Sequence, residues 1–150
     1  MADFLTPEKR RRVMSAIKSR DTKPELIVRR MLHRAGFRFR LHRSDLPGRP
    51  DIVLPRYRTA IFVHGCFWHG HDCGIFRAPT TRPEYWARKL SATRERDDSV
   101  IAKLQLLGWR AITVWECQLS SNQRQVRLLY RLTGFILGDL SSSKGRRLSK

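Results

Sequence analysis

Residues 48 to 73 read Gly48-Arg49-Pro50-Asp51-Ile52-Val53-Leu54 and then, after a short turn, Ile61-Phe62-Val63-His64-Gly65-Cys66-Phe67-Trp68-His69-Gly70-His71-Asp72-Cys73. The span holds one carboxylate at the start of an apolar run, together with three of the five histidines and two of the three cysteines of the chain. Short apolar runs bounded by Gly and Pro are typical of buried strands. We therefore interpret the span as a metal site carried by two strands, with the rest of the chain as its support.

The composition indicates one domain that binds a polyanion. The 150 residues include 31 Lys and Arg against 13 Asp and Glu, a formal net charge of +18. A compact domain with this charge repels itself unless a polyanion neutralises it, so nucleic acid is the leading partner. We expect a single domain over residues 1–140 and a disordered basic tail over residues 141–150, because the tail is low in complexity.

The short apolar segments and the odd number of cysteines are typical of a cytoplasmic protein. The longest aliphatic or aromatic stretches are far too short to span a bilayer, and no apolar segment follows the basic run near the N-terminus. We therefore expect a cytoplasmic protein with no membrane contact. Three cysteines, an odd number, then favour free thiols or a metal over a disulfide framework.

The first half of the chain predicts one helix followed by a meander of strands. A helix is expected to begin at Asp21 or Thr22, each a good capping residue, and to stop at Gly36. Residues before it form a basic arm, 1–20, in which Met14 lies on an apolar stripe; this arm could contact the core or DNA. The strands that follow are predicted at residues 37–43, 51–54 and 59–64.

The second half predicts a helical crossover, a fourth strand and a last helix. Residues 83–107 have a helical period that turns Asp97 inward, and residues 109–116 alternate as a strand. A strand reached by a helical crossover is expected to lie parallel to a strand of the meander. The last helix, at about 122–137, is expected to pack through Val126, Leu129, Tyr130, Thr133 and Leu137. The predicted fold is therefore α/β, a mixed central sheet flanked by helices.

The cysteines allow two interpretations. Cysteine is among the most buried residue types, so Cys66, Cys73 and Cys117 could be three inert thiols. Three thiolates and one imidazole would instead make a closed structural zinc site, which the clustering of Cys and His favours. The spacing does not decide which histidine binds; choosing His71 would leave His64 and His69 free.

Asp51 and two histidines are candidates for hydrolytic chemistry. Asp51 could simply close the turn that precedes its strand, as Asp often does. Alternatively, one carboxylate, a main-chain carbonyl and phosphate oxygens would suffice for Mg²⁺, and an imidazole could take a proton from the attacking water. His64 and His69 are the candidates for that imidazole, although either could be a satisfied core histidine.

Two further acids and three aromatic residues have alternative roles. Glu25 and Asp97 lie at or beside apolar helix faces, where a carboxylate needs a partner, either an inward histidine or one of the many arginines. Phe67 and Trp68 lie in a glycine-flanked loop and could wedge between base steps or cover the zinc site. Trp86, on a helical stripe, is by default a core residue.

Several of these motifs together resemble the very short patch repair endonucleases, the Vsr family. The similarity extends from about Met14 to about residue 120, and the stretch after it adds little. The motifs that carry the similarity are Arg20-Asp21-Thr22, Glu25, Leu46-Pro47-Gly48-Arg49-Pro50-Asp51, Val63-His64-Gly65-Cys66-Phe67-Trp68-His69, His71-x-Cys73, Arg94-x-x-Asp97 and Val114-Trp115-Glu116-Cys117.

The resemblance implies a fold akin to type II restriction endonucleases and a specific reaction. That reaction is Mg²⁺-dependent nicking of duplex DNA 5′ to the thymine of a T:G mismatch, the lesion left by deamination of 5-methylcytosine. It also implies a functional pairing with a cytosine-5 DNA methyltransferase, a bacterial cytoplasm and nucleoid, and a monomer on DNA.

The resemblance also assigns roles to residues. Asp51 and the main-chain carbonyl of Val63 would bind Mg²⁺, and His69 would activate the attacking water. His64, Glu25 and Asp97 would orient or polarise that apparatus. Zinc would be held by Cys66, His71, Cys73 and Cys117. Phe67, Trp68 and Trp86 would intercalate beside the mismatch, and Met14 would wedge in from the other groove.

Three features of the chain affect this transfer. The wider nuclease superfamily has an acid and a lysine where this chain has Phe62-Val63-His64, a replacement that the Vsr family shares, so histidine is the expected base. Position 63 is often threonine in the family, but valine supplies a carbonyl equally well. His69 is followed by Gly70 rather than by more histidines, which makes His71 less ambiguous as a ligand.

Two other classes compete with a mismatch endonuclease. One is a zinc-stabilised DNA-binding module without catalysis, in which Asp51 is only a turn residue. The other is a restriction-like nuclease that cuts matched DNA. Loss of nicking with binding retained in Asp51→Ala would separate the enzyme from the module.

Overall fold

The computed structural model describes residues 6–8, 21–73 and 79–148. Met14 and most of the predicted arm lie outside these residues. The described chain is built from three helices and four strands: α1 (Lys23–Arg34), β1 (Arg40–Leu41), β2 (Ile52–Leu54), β3 (Thr59–His64), α2 (Pro83–Leu106), β4 (Arg110–Trp115) and α3 (Asn122–Leu148). Short 3₁₀ turns follow β2 at Pro55–Tyr57 and β4 at Glu116–Leu119. No helix among the described residues has both the length and the apolar character needed to cross a bilayer.

The sheet is mixed, with strand order β1-β2-β3-β4. The first three strands pair antiparallel as the predicted meander, and β4 pairs parallel to β3 after the crossover through α2. The predicted strand at 37–43 is reduced to Arg40–Leu41. His42 ends it because its φ of 48° is left-handed, which an extended strand does not accommodate.

Core clusters lie on both faces of β2, which explains why all three of its residues are apolar and buried. On one face Ile52 and Leu54 pack with Leu32 of α1 in the main core cluster. On the other face Val53 packs in a second cluster with Leu104 of α2. The predicted inward stripe of α2 is confirmed, since its members are buried or half-buried: Trp86, Leu90, Thr93, Asp97, Ile101 and Leu104.

The inward face of α3 differs from the prediction. The residues that join the core are Leu128, Leu132 and Ile136, whereas Val126 and Tyr130 are 68% and 84% exposed. The helix carries two apolar stripes, and periodicity alone does not say which one meets the sheet. The helix also continues from the expected end near residue 137 to Leu148, since extending a formed helix requires little from each added residue. Disorder of residues 141–150 stays a prediction.

Candidate active site and metal site

The functional residues predicted from sequence gather at one end of the sheet. Asp51 immediately precedes β2, and Val63 and His64 end β3, its antiparallel neighbour. The Val63 N–H donates to Oδ2 of Asp51 over 2.7 Å, which closes this corner. Because β4 runs parallel to β3, its last residue, Trp115, lies beside His64 at the same end. Sheet register therefore assembles segments that are far apart in the chain.

Asp51 is a half-buried carboxyl with few hydrogen-bond donors. Burial raises its pKa to about 6, and the nearby charge of Glu25 raises it further, against the lowering effect of the Val63 N–H and the charge of His42. A carboxylate held in this way favours a neighbouring cation. The geometry thus fits a metal ligand better than a simple turn residue.

His64, His69 and Asp97 form a second group across the same cleft. Nδ1 of His69 lies 2.6 Å from Oδ2 of Asp97, so the carboxylate accepts the Nδ1 proton and leaves Nε2 free to accept another. The rings of His64 and His69 stack with centroids 3.7 Å apart. Burial lowers the pKa of His64 to about 4, assisted by the charge of His69, so His64 is neutral at neutral pH. The structure therefore pairs Asp97 with a histidine, one of the two partners considered for it.

The partners of Glu25 are Arg29 and His42, and His42 also approaches Asp51. Glu25 is 2% exposed, and its Oε2 lies 3.1 Å from Arg29 and 3.4 Å from Nε2 of His42. Nδ1 of His42 in turn lies 3.9 Å from Oδ1 of Asp51. Sequence reasoning missed His42 and Arg29. The one signal for His42 is strand register, because pairing Leu41 with Ile52 brings the next residue opposite Asp51.

These groups line one cavity of about 700 Å³. Asp51 and His42 line it together with His69 and Asp97. The lining holds two arginines, Arg49 and Arg96, and four acids, Glu25, Asp51, Asp97 and Glu116. A bound cation would offset this excess of carboxylates when a phosphodiester enters. The residues that line it are Thr22, Pro24, Glu25, His42, Gly48, Arg49, Asp51, Phe62, Val63, His64, Gly65, Trp68, His69, Arg96, Asp97, Val100, Ile101 and Glu116.

Next to this cavity, three cysteines and one histidine converge. The ligand atoms of Cys66, His71, Cys73 and Cys117 all lie within 4.8 Å of one another, and Sγ of Cys117 lies 3.6 Å from Nδ1 of His71. Of the three histidines in this stretch, His71 is the one whose ring lies with the three cysteines. Sulfur and imidazole are the donors of tetrahedral structural zinc sites, so the set fits that metal.

The residues around the four ligands hold the loop in place. The His71 N–H donates to the Cys66 carbonyl over 2.9 Å, and Trp115 stacks on the His71 ring with centroids 4.0 Å apart. Arg94 of α2 donates to the carbonyl of Gly70. Burial raises the pKa of the Cys66 thiol to about 12, so the thiolate form requires a cation. The contact between Arg94 and Gly70 therefore joins this loop to α2, close to His71 on the loop and to Asp97 on the helix.

The loop aromatics form a cluster with the start of α2. Phe67 lies 5.0 Å from Trp68 and 5.4 Å from Trp86 between ring centroids. The ammonium of Lys89 lies 5.3 Å from the Trp86 centroid. Trp68 also lines the cavity of Asp51 and His69, so the cluster and the cleft are continuous. Trp86 is half-buried near the start of α2, in contact with Phe67.

Comparison with known proteins identifies the relatives of this chain. A family model described as DNA mismatch endonuclease Vsr matches residues 2–75. The Type II nicking enzyme V.XorIIP of Xanthomonas oryzae pv. oryzae is 53% identical over 120 residues, which cover 80% of this chain and 88% of that protein. The DNA mismatch endonuclease Vsr of Escherichia coli is 42% identical over 146 residues, which cover 96% of this chain and 94% of that protein.

Proposed function

The chain belongs to the Vsr family of DNA mismatch endonucleases, and we propose that it nicks duplex DNA 5′ to the thymine of a T:G mismatch with the help of Mg²⁺. Mismatch-directed nicking in very short patch repair is the activity of this family. The mixed four-stranded sheet with flanking helices agrees with the restriction-endonuclease-like fold expected for it. One observation supports the proposal above all: Asp51 and the His69–Asp97 pair line the same cleft.

Mg²⁺ would be held by Asp51 and the main-chain carbonyl of Val63. The contact between the Val63 N–H and Asp51 supports this role, because it keeps the carboxylate beside the backbone of Val63. Oxygen donors suit this hard cation, which leaves several of its positions to water and phosphate. When bound, the ion would supply positive charge to the phosphodiester and its leaving oxygen.

His69 would act as the general base. Asp97 holds the Nδ1 proton of His69, so the free Nε2 can take a proton from a water that attacks phosphorus. His64 stacks on His69 and limits the orientation of its ring. Asp97 and His64 would therefore position the base. Glu25 would help to orient Asp51 through His42, which lies between the two carboxylates.

The aromatic cluster would recognise the distorted duplex. Phe67, Trp68 and Trp86 form one cluster, of which Trp68 lines the cleft, and flat side chains of this kind can enter between base steps and unstack them. A mismatched step costs less to unstack than a paired one. Met14, which lies outside the described residues, would wedge in from the other groove.

Zinc would bind Cys66, His71, Cys73 and Cys117 as a structural ion. The ion would join the loop after β3 to the 3₁₀ turn after β4, and so hold the aromatic residues of that loop beside the cleft. A functional pairing with a cytosine-5 DNA methyltransferase, action as a monomer on DNA, and a cytoplasmic, nucleoid-associated location complete the proposal.

Nicking of labelled duplexes tests the reaction. We expect Mg²⁺-dependent cleavage 5′ to the thymine of a T:G mismatch in one sequence context and none in matched T:A or C:G duplexes. Equal cleavage of matched duplexes would instead indicate a restriction-like nuclease. Binding without cleavage in any context would indicate a DNA-binding module.

Substitution of Asp97 tests the assignment of the base. Asp97→Asn should lower kcat about 10²- to 10⁴-fold, the range attributed to general-base catalysis, with duplex binding retained. Asp98→Asn, at the exposed neighbouring position on α2, is the matched control and should nick at the normal rate. Equal rates for the two variants would contradict the role of Asp97.

Metal analysis tests the structural ion. Protein purified without chelators should contain one zinc per chain, and His71→Ala should lose it. His33→Ala removes an exposed imidazole of α1 and should retain the metal. A chain without zinc, or loss of zinc from both variants, would show that the thiols are not a zinc site.

A further inference from the structure

A cluster of metal-type ligands on the Glu25 side of the cleft has an arginine at its centre. The ligand atoms of Asp21, Glu25 and His42 all lie within 4.8 Å of one another. One terminal nitrogen of Arg29 contacts all three, at 2.6 Å from Oδ1 of Asp21, 3.1 Å from Oε2 of Glu25 and 3.1 Å from Nε2 of His42. Two carboxylates and an imidazole around one point are what a divalent cation would require.

The local structure explains why the guanidinium occupies this point. Glu25 and Arg29 are one turn apart on α1 and therefore on the same face of the helix. The N–H of Asp21 also donates to Oε2 of Glu25 over 3.0 Å, which folds the start of the helix over the pair. Arg29 is 15% exposed and Glu25 is 2% exposed, so neither charge is well hydrated and each depends on the other.

The same cluster reaches Asp51 through His42. The two ring nitrogens of His42 face different carboxylates, Nε2 toward Glu25 at 3.4 Å and Nδ1 toward Asp51 at 3.9 Å. Asp21, Glu25 and Asp51 are therefore linked through Arg29 and His42, and Arg29 is the permanent cation among them. Without it, their mutual repulsion would move Glu25 and His42 or draw in another cation.

We propose that Arg29 is a positioning residue of the nicking reaction, which occupies the place of a divalent cation among Asp21, Glu25 and His42 and thereby holds the last two beside Asp51. The inference deepens the proposed function and rests on the role of Asp51 in it. A guanidinium suits this task because it is always charged and presents several donors in a fixed plane. The cluster then has its cation whether or not free metal is present.

Two measurements on Arg29→Met test this role. With DNA absent and zinc bound, the variant should bind one more Mn²⁺ than the wild type, as counted by the EPR signal of free Mn²⁺. With T:G duplex and Mg²⁺, its kcat should fall about 10- to 100-fold, the range for groups that orient a metal ligand, at unchanged Kd for the duplex. Adding His42→Ala to Arg29→Met should abolish the extra Mn²⁺ site.

Matched variants complete the design. Arg30→Met, on the same helix but outside the cluster, should match the wild type in both measurements. Arg29→Lys keeps a cation in place and should exclude the extra Mn²⁺ and recover part of kcat. Arg29→Gln, which keeps N–H donors without the charge, replaces Arg29→Met if that variant does not fold.

Either of two results would overturn the proposal: no additional Mn²⁺ in Arg29→Met, or a kcat equal to that of Arg30→Met. Failure of the proposed function looks different. In that case the wild type itself does not nick the T:G duplex, or Asp51→Asn nicks at the wild-type rate.

Discussion

At the scale of single residues, the cleft contains two groups whose pKa values shift in opposite directions. Burial disfavours the charged form of each group, so the pKa of the Asp51 carboxyl rises and that of the His64 imidazole falls. Asp51 therefore binds its proton more tightly in the folded chain than in the unfolded one, and His64 binds its proton less tightly. Their effects on stability oppose each other over almost the same pH range.

The pH dependence of the unfolding free energy should separate the two groups in protein that keeps its zinc and receives no Mg²⁺. In His64→Gln, Asp51 acts alone, and stability should fall as pH rises from the ordinary pKa of 3.8 to about 6. In Asp51→Asn, His64 acts alone, and stability should rise from about pH 4 to the ordinary pKa of 6.5. Each change amounts to about 3 kcal/mol. Urea unfolding from pH 4 to 7 measures it, and parallel curves for the two variants would contradict the prediction.

Two glycines in left-handed backbone provide a second residue-scale prediction. Gly48, with φ of 72°, lies where an added Cβ would collide with Val100 of α2, whereas Gly36, with φ of 91°, has open space. Alanine strains the backbone at both positions, but only at Gly48 must it also displace a branched, packed side chain. Gly48→Ala should therefore destabilise the fold by about 1–3 kcal/mol more than Gly36→Ala. Thermal unfolding compares the variants, and equal losses would show that Val100 yields freely.

At the scale of elements, each of the four strands contributes to the site where it ends or begins. Asp51 precedes β2, His64 ends β3, Cys117 follows β4, and His42 follows β1. Helix α2 crosses over this end and brings Asp97 to His69. The order of strands, rather than any one motif, determines which segments meet.

The two apolar stripes of α3 should differ in how much they stabilise the fold. Leu132 is fully buried against the sheet, and Val126 is 68% exposed on the other apolar stripe. Leu132→Ala should cost about 2–5 kcal/mol of unfolding free energy, because it opens a cavity in the main core. Val126→Ala should cost about 0.5 kcal/mol or less, as for ordinary surface positions. Urea denaturation of both variants measures these losses. A larger loss for Val126→Ala than for Leu132→Ala would show that the stripe predicted from sequence is the buried one.

At the scale of the whole molecule, the net charge of +18 governs the encounter with DNA. Each phosphate that a lysine or arginine neutralises releases a counterion, so salt weakens binding in proportion to the number of these contacts. The aromatic contacts proposed for the mismatch carry no charge. Charge should therefore set the affinity for duplex DNA, and the aromatic cluster should set the preference for mismatched over matched duplexes.

Binding across a salt series tests this division. Between 50 and 200 mM salt, affinity should fall by about 10³- to 10⁵-fold if 6–10 phosphates are neutralised. Mismatched and matched duplexes should show similar slopes, so their affinity ratio should stay nearly constant. Trp68→Ala should reduce that ratio and leave the slope unchanged. A slope that changes with Trp68→Ala would contradict the separation of charge from preference.

Much of the fold was predictable because it depends on near neighbours in the chain. The cap and stop signals predicted α1, and the 3.6-residue stripe predicted α2 with Asp97 inward. Short apolar runs predicted β2 and β3, and an alternating segment predicted β4. The parallel pairing of β4 was predicted because a helical crossover leads to this strand. The family was also recognisable from motifs spread along the chain, from Arg20-Asp21-Thr22 to Val114-Trp115-Glu116-Cys117.

Helix and strand periodicity and the family motifs can be read from the chain alone, because each of them belongs to a short segment. Only the packed chain shows which stripe of α3 meets the core, and that Arg29 and His42 lie beside Glu25. It also brings His71, the histidine that the family resemblance implied, to the three cysteines. Each of these outcomes depends on distances between segments remote in sequence. Such distances are set by strand register and by the packing of helices on the sheet, which no local pattern specifies.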